Sequence, residues 1–254
     1  MSQDIILKAR NLSKSFGGVK ALHNVTLDLF NHEILGIIGP NGSGKTTLVS
    51  LITGFLKPDS GHVTFKDQEI TGLPPFKIVD LGIARTFQIC RPFHSLKAYK
   101  NLIVPLFSPR VRRFTGGKSG DRDSVAIDLL EEVGFERDAF VPYKLTSALP
   151  LGYLKRLELA RCLALRPEVI ICDEIFSGLS MSEIASMIPL LEKVHLDGNT
   201  SLIMIEHRLR ELFRVASRVM VLDFGVKIAE GVPEDVMQIE RVKEAYLGTA
   251  EVNL

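Results

Sequence analysis

The chain has 254 residues, 46% of them hydrophobic and 24% charged, an ordinary globular composition that excludes a disordered, collagenous or coiled-coil chain. Its 31 basic residues nearly balance 30 acidic ones for a formal charge of +1, so no global attraction to nucleic acid or anionic lipid is expected. The length suits one compact body with a lobe, no apolar run approaches the ~20 residues that cross a bilayer, and no leader pattern opens the chain, so a cytosolic protein is expected.

Taken in chain order, Ile5 to Ala9 is a short apolar run, and Leu22 to Phe30 alternates Val25, Leu27 and Leu29 with Thr26 and Asp28. Both are predicted strands, as is Ile34 to Ile38. Thr46 to Thr53 has helical spacing at Leu48, Leu51 and Ile52, with Gly54 as its stop. Cys90, Cys162 and Cys172 are odd in number and show no close-pair spacing, which fits a reducing compartment rather than a disulfide framework or a zinc site. Ser108 to Asp123 is basic and glycine-bearing; a contact with a membrane surface or acidic partner is one reading, and a mobile solvated loop is the expectation. Val125 to Val133 is a predicted helix with Val125, Leu129, Leu130 and Val133 on one face, ended by Gly134. Leu154 to Leu165 is another, with Leu157, Ala160, Arg161 and Ala164 a turn apart, stopping before Pro167. Val169 to Cys172 and Leu202 to Ile205 are continuously apolar, as buried parallel strands are. Val219 to Leu222 and Val226 to Ala229 form a final hairpin around Asp223, Phe224 and Gly225.

Gly39, Pro40, Asn41, Gly42, Ser43, Gly44, Lys45 and Thr46 match G-x-x-x-x-G-K-[ST] between a predicted strand and a predicted helix. Such a loop aims successive backbone N–H groups at a phosphate while the helix start adds its positive end. Lys45 would supply a charge to the β and γ phosphates and Thr46 a hydroxyl to Mg²⁺; Thr47 follows in the first turn as a further nucleotide contact. By average residue frequencies the bare pattern arises in about one chain per hundred of this size, and its context lowers that. Asp173 and Glu174 end the Val169 run, at the strand end where parallel sheets bind ligands. Asp173 would hold the Mg²⁺ shell, and Glu174 would face the water that attacks the γ-phosphate.

These residues resemble the nucleotide-binding subunits of ABC transporters over nearly the whole chain. The resemblance implies that Phe16, within Leu12 to Leu22, stacks on adenine, and that Gln88, ending Gly82 to Gln88, touches metal and water and begins a loop coupling to a membrane subunit. It implies that Leu149 to Tyr153 is the signature segment, with Gly152 near a γ-phosphate, and that His207, after Glu206, is the switch histidine. Leu51 to Gly61, Gly82 to Gln88, and the ending from Glu230 through Gly248 look most like the branched-chain amino acid importer branch.

The implied architecture is a P-loop, RecA-like α/β core with an antiparallel β portion and a helical subdomain, one ATPase domain spanning 1–254 with its core at about 1–88 and 166–254 and its helical part at about 89–165. The implied activity is Mg²⁺-dependent ATP hydrolysis between two ATP-binding subunits, homodimer or heterodimer. It would take place on the cytoplasmic face of the membrane and be coupled to membrane subunits, with no nucleic acid partner. Three positions depart from the family pattern: Pro150 replaces a serine, Ile175 replaces the proline usual after the acidic pair, and Ser180 stands where aspartate is common. Two other readings stay open: a soluble ATPase of the same family acting in DNA repair or translation, disfavoured by near-neutral charge, and a weakly hydrolysing regulatory module, suggested by Pro150 and Ser180.

Overall fold

The structure, a computed structural model, describes residues 4–115, 120–197 and 200–247. Its first layer is an antiparallel sheet of β1 (Ile5–Phe16), β2 (Val19–Phe30), β4 (Ser60–Phe65) and β5 (Gln68–Glu69), in the order β2-β1-β4-β5. Both long strands outrun the apolar stretches that announced them, because register shifts between Ala9, Leu12 and Lys14 break the alternation while pairing continues.

The second sheet holds β3 (Ile34–Ile38), β6 (Ile83–Arg85), β7 (Val169–Asp173), β8 (Ser201–Ile205), β9 (Arg218–Asp223) and β10 (Val226–Gly231), in the order β10-β9-β3-β8-β7-β6. All its pairings are parallel except the β9–β10 hairpin. Its central strands are continuously apolar because both faces are covered. Leu35, Ile37, Ile171 and Ile203 face a core shared with the antiparallel sheet and α1 (Lys45–Ile52), whereas Ile38, Ile170, Cys172 and Met204 face the remaining helices.

α2 (Pro75–Leu81) also sends its buried Ile78 into the first of these cores; the helices on the other face are α3 (Ile103–Leu106), α4 (Pro109–Phe114), α5 (Arg122–Glu132), α6 (Leu151–Leu163), α7 (Met181–Asp197), α8 (Leu209–Leu212), α9 (Pro233–Val236) and α10 (Glu240–Leu247). Among the described residues none is long and apolar enough to cross a membrane.

Three expectations change. Within Ser108 to Asp123, residues 116–119 lie outside the described residues, but 109–114 are helical rather than a solvated loop. Ser108 Oγ caps α4 by accepting the Val111 N–H, and Arg110 is buried, donating to the carbonyls of Leu81, Leu165 and Arg166. On α5 the buried face is Ala126, Leu130 and Val133, while Val125 turns outward. α6 begins at Leu151, three residues earlier than its periodicity indicated, because Pro150 is its N-cap and fixes the entry angle.

Candidate functional site

The site gathers at the C-terminal ends of β3, β7 and β8. The turn after β3 is possible only with glycine at its key positions. Gly39 has φ 148°, and a Cβ there would lie 2.0 Å from the Leu222 carbonyl oxygen; Gly44 has φ 104°, and its Cβ would lie 2.6 Å from the Ala21 carbonyl oxygen. The loop is tied to the β9–β10 turn, where the Gly225 N–H donates to Ser43 O at 3.0 Å and Gly225 O accepts from the His23 N–H at 2.8 Å. Lys45 is buried, and its Nζ donates to Gly39 O at 2.7 Å and Pro40 O at 2.9 Å. Burial pulls its pKa down, a shift that the carboxylates of Glu174 and Asp173 oppose.

One small cavity, about 180 Å³, is lined by Asn41, Gly42, Ser43, Gly44, Lys45, Thr46, Thr47, Glu174 and His207. Glu174 sits at φ 51°, a conformation uncommon outside glycine. The Gln88 amide Nε2 donates to its Oε2 at 2.6 Å, and His207 Nε2 lies 3.0 Å from its Oε1. An adjoining cleft of about 870 Å³ takes in Thr46, Gln88 and Asp173 together with the apolar Phe55, Phe87, Ile89 and Val104. The structure thus brings the loop, Thr46, Thr47, Gln88, Asp173, Glu174 and His207 into one neighbourhood.

Two expected residues stand apart. Phe16, at the end of β1, is 46% exposed with the Lys14 ammonium 5.7 Å from its ring, and it does not line the loop cavity. Gly152 lies in the first turn of α6 against Glu183, whose carboxylate Oε1 a Cβ at Gly152 would meet at 2.5 Å. It too lies off the loop cavity.

Three residues escaped the sequence reading. Arg85 donates to Asp173 Oδ2 at 2.6 Å and lies beside the edge-to-face pair of Phe55 and Phe87, 5.8 Å and 5.3 Å from their ring centres. Lys155, buried on α6, donates to the carbonyls of Gln88 and Glu174, each at 2.9 Å. Glu206, also buried, accepts the Phe176 N–H at 2.9 Å. Burial pushes the Glu206 pKa up to about 8, with the Glu174 charge adding to that and the Phe176 N–H and Lys155 opposing it. Arg85 lies within Gly82–Gln88 and Glu206 directly before His207, but partners formed across the fold leave no local signature.

The residues fit a polyphosphate and a hard cation. Ser43 Oγ is buried without a hydrogen-bond partner, an orphaned hydroxyl inside a glycine-shaped cradle. Thr46 hydroxyl, Gln88 amide and Asp173 carboxylate are oxygen donors of the kind Mg²⁺ takes.

Comparison with known proteins gives the chain's relatives. The ABC transporter family model matches residues 22–177, and the model of the branched-chain amino acid ATP-binding cassette transporter matches 226–252. The high-affinity branched-chain amino acid transport ATP-binding protein LivG of Escherichia coli (strain K12) is 35% identical over 260 residues, covering 98% of this chain and 100% of that one. The crystal structure of a nucleotide-free ATP-binding cassette from an ABC transporter superposes with TM-score 0.84 at 29% identity, over 95% of this chain and 98% of its own. The dimeric structure of the ATP-binding cassette MJ0796 in a post-hydrolysis state, bound to ADP and Pi, superposes with TM-score 0.77 at 26% identity, over 89% and 98%.

Proposed function

Because the chain belongs to the ABC transporter family of ATP-binding proteins, we propose that its phosphate loop, Glu174 and His207 form half of an ATP site, completed by the signature segment of a second ATP-binding subunit. ATP turnover there energises import of branched-chain amino acids or similar small polar solutes through separate membrane subunits. The observation that carries hydrolysis is the Glu174 carboxylate, held between Gln88 at 2.6 Å and His207 at 3.0 Å on a wall shared with Lys45 and Thr46.

Residues 39–47 would take the phosphates: backbone N–H groups and the Lys45 ammonium meet the β and γ oxygens, and Ser43 Oγ gains the partner it lacks. Phe16, half-exposed on the sheet that borders the loop, would take the adenine. Thr46, Gln88 and Asp173 would hold Mg²⁺, which supplies charge neutralisation at the phosphates when bound. Glu174 orients the attacking water and accepts its proton, while His207 fixes the carboxylate and senses the γ-phosphate. Gly152 and the start of α6 would face the partner's γ-phosphate, so ATP holds the two subunits together and its hydrolysis releases them.

The core at about 1–88 and 166–254 would carry the chemistry. The helical part at about 89–165 would carry the coupling, through Gln88 and the apolar cleft of Phe55, Phe87, Ile89 and Val104. That cleft suits a segment of a membrane subunit on the cytoplasmic face. The importer branch is supported by the match of residues 226–252 and by the likeness to LivG.

Phosphate release with ATP and Mg²⁺ tests the reading, with Glu174→Gln as its sharpest variant. The amide keeps shape but loses the charge that orients water, so ATP binding persists, turnover falls at least about a hundredfold, and light scattering with ATP detects a stable dimer. A monomeric Glu174→Gln protein with normal turnover would contradict the assignment.

A further inference from the structure

The backbone that carries Glu174 is bonded from three sides. Its N–H donates to Ile205 O of β8 at 2.9 Å. Its carbonyl accepts the buried Lys155 ammonium at 2.9 Å and closes a turn with the Ser177 N–H at 3.2 Å. Two residues on, the Phe176 N–H donates to the buried Glu206 side chain at 2.9 Å. Ile175 is thus flanked by an ammonium on the carbonyl before it and a buried carboxyl group on the N–H after it. Lys155 also binds the Gln88 carbonyl at 2.9 Å, so one ammonium joins α6, the residue that bonds the Glu174 side chain, and the Glu174 backbone.

We propose that Lys155 and Glu206 are positioning residues for hydrolysis: they grip the turn after Glu174 on both sides of Ile175, hold the Glu174 carboxylate at its angle to the phosphate loop, and let it shift only together with Gln88 and α6. The φ of 51° at Glu174 makes such a grip necessary, since an unsupported non-glycine residue relaxes out of that region at little cost. Both residues are 2% exposed, so each bond they make is shielded from water, and those of the Lys155 ammonium are charge-assisted as well. The inference rests on Glu174 being the residue that orients the attacking water.

The test is steady-state ATPase kinetics with parallel nucleotide binding and thermal melts for Lys155→Met, Glu206→Met and Glu206→Gln. The grip predicts a fall in kcat of about tenfold or more for Lys155→Met and Glu206→Met, with KM and ATP affinity within about twofold of the parent. Glu206→Gln should restore most of the rate, because its amide oxygen still accepts the Phe176 N–H. The idea is overturned if kcat stays within about twofold of the parent in both methionine variants, if kcat and ATP affinity fall together with the melting temperature, or if Glu206→Gln is as slow as Glu206→Met. Should Lys155→Met not fold, the two Glu206 variants decide alone. Glu174→Gln run beside them separates the two levels: normal turnover in that variant refutes the reading of the site, whereas inactive Glu174→Gln with active Glu206→Met and Lys155→Met refutes only the grip.

Discussion

At the start of α1, Gly39, Gly42 and Gly44 hold φ between 78° and 148°, and a Cβ at Gly39 would strike the Leu222 backbone; at the start of α6, a Cβ at Gly152 would meet only the carboxylate end of Glu183. In the first region the glycines are required by this chain's own backbone, so the loop is complete within one molecule. In the second, the neighbour is a side chain, itself bonded by the Ser180 N–H and hydroxyl, and α6 follows Pro150 with no side-chain cap and with Leu151 41% exposed. The chain's own backbone therefore does not demand a glycine at 152, which fits the proposed role of this segment toward a second subunit. A glycine's role can be read from whether backbone or a side chain crowds it.

Lys45→Ala tests that comparison most severely. It removes the only side-chain cation of the loop cavity and should abolish measurable ATP binding in a fluorescent-nucleotide titration, while the melting temperature changes little; undiminished affinity would remove the loop from the site. A smaller and opposite pair of effects is expected at α6. Pro150 lacks both a hydroxyl and an N–H, so Pro150→Ser should strengthen ATP-dependent dimerisation by about ten- to a hundredfold if one contact to a phosphate oxygen, worth roughly 1.5–3 kcal/mol, is recovered. Gly152→Asp should weaken dimerisation and turnover sharply at an ordinary melting temperature. ATPase rate against protein concentration reads both, and a fully active Gly152→Asp protein would show that this segment never meets nucleotide.

The smallest effect concerns pH. Glu206 titrates near 8 in the folded chain against 4.5 for a free glutamate, so the folded state holds an extra proton between those values. The stability this contributes is complete below about pH 4.5 and is lost as pH rises through about 8. The melting temperature of the parent, measured relative to Glu206→Gln, should therefore fall by a few degrees from pH 5 to pH 8.5. A difference that stays flat would mean that Glu206 is ionised throughout, with its charge fully met by Lys155 and the backbone.

Much of the core was legible because buried strands and glycine stops write themselves into sequence. Ile34 to Ile38 and the hairpin around Gly225 stand where their runs placed them, and Gly54 and Gly134 end helices at φ 74° and 85°. Helix α7 was not anticipated. Its apolar face of Ile184, Met187, Ile188 and Leu191 is regular, but Pro189 sits inside it and masks the period. The helical Pro109–Phe114 was hidden because an arginine, Arg110, supplies the buried anchor, and its partners are carbonyls 29 to 56 residues away. The site divides the same way. The loop, Asp173 and Glu174 carry local patterns, whereas Arg85, Lys155 and Glu206 act through contacts that only the folded chain creates.

The strand that feeds the phosphate loop has its neighbours late in the chain. β3 lies between β8 and β9, so both of its edges pair with residues from 202 onward, and the loop's own support at Gly225 comes later still. During synthesis, everything before residue 200 can emerge while β3 has no partner on either side. The N-terminal motif is thus among the last parts to gain its shape, since distant pairings form only after their loop-closure entropy has been met. A fragment ending before β8 would contain the whole phosphate loop and still offer ATP no cradle, which a nucleotide titration of residues 1–200 would register as absent binding.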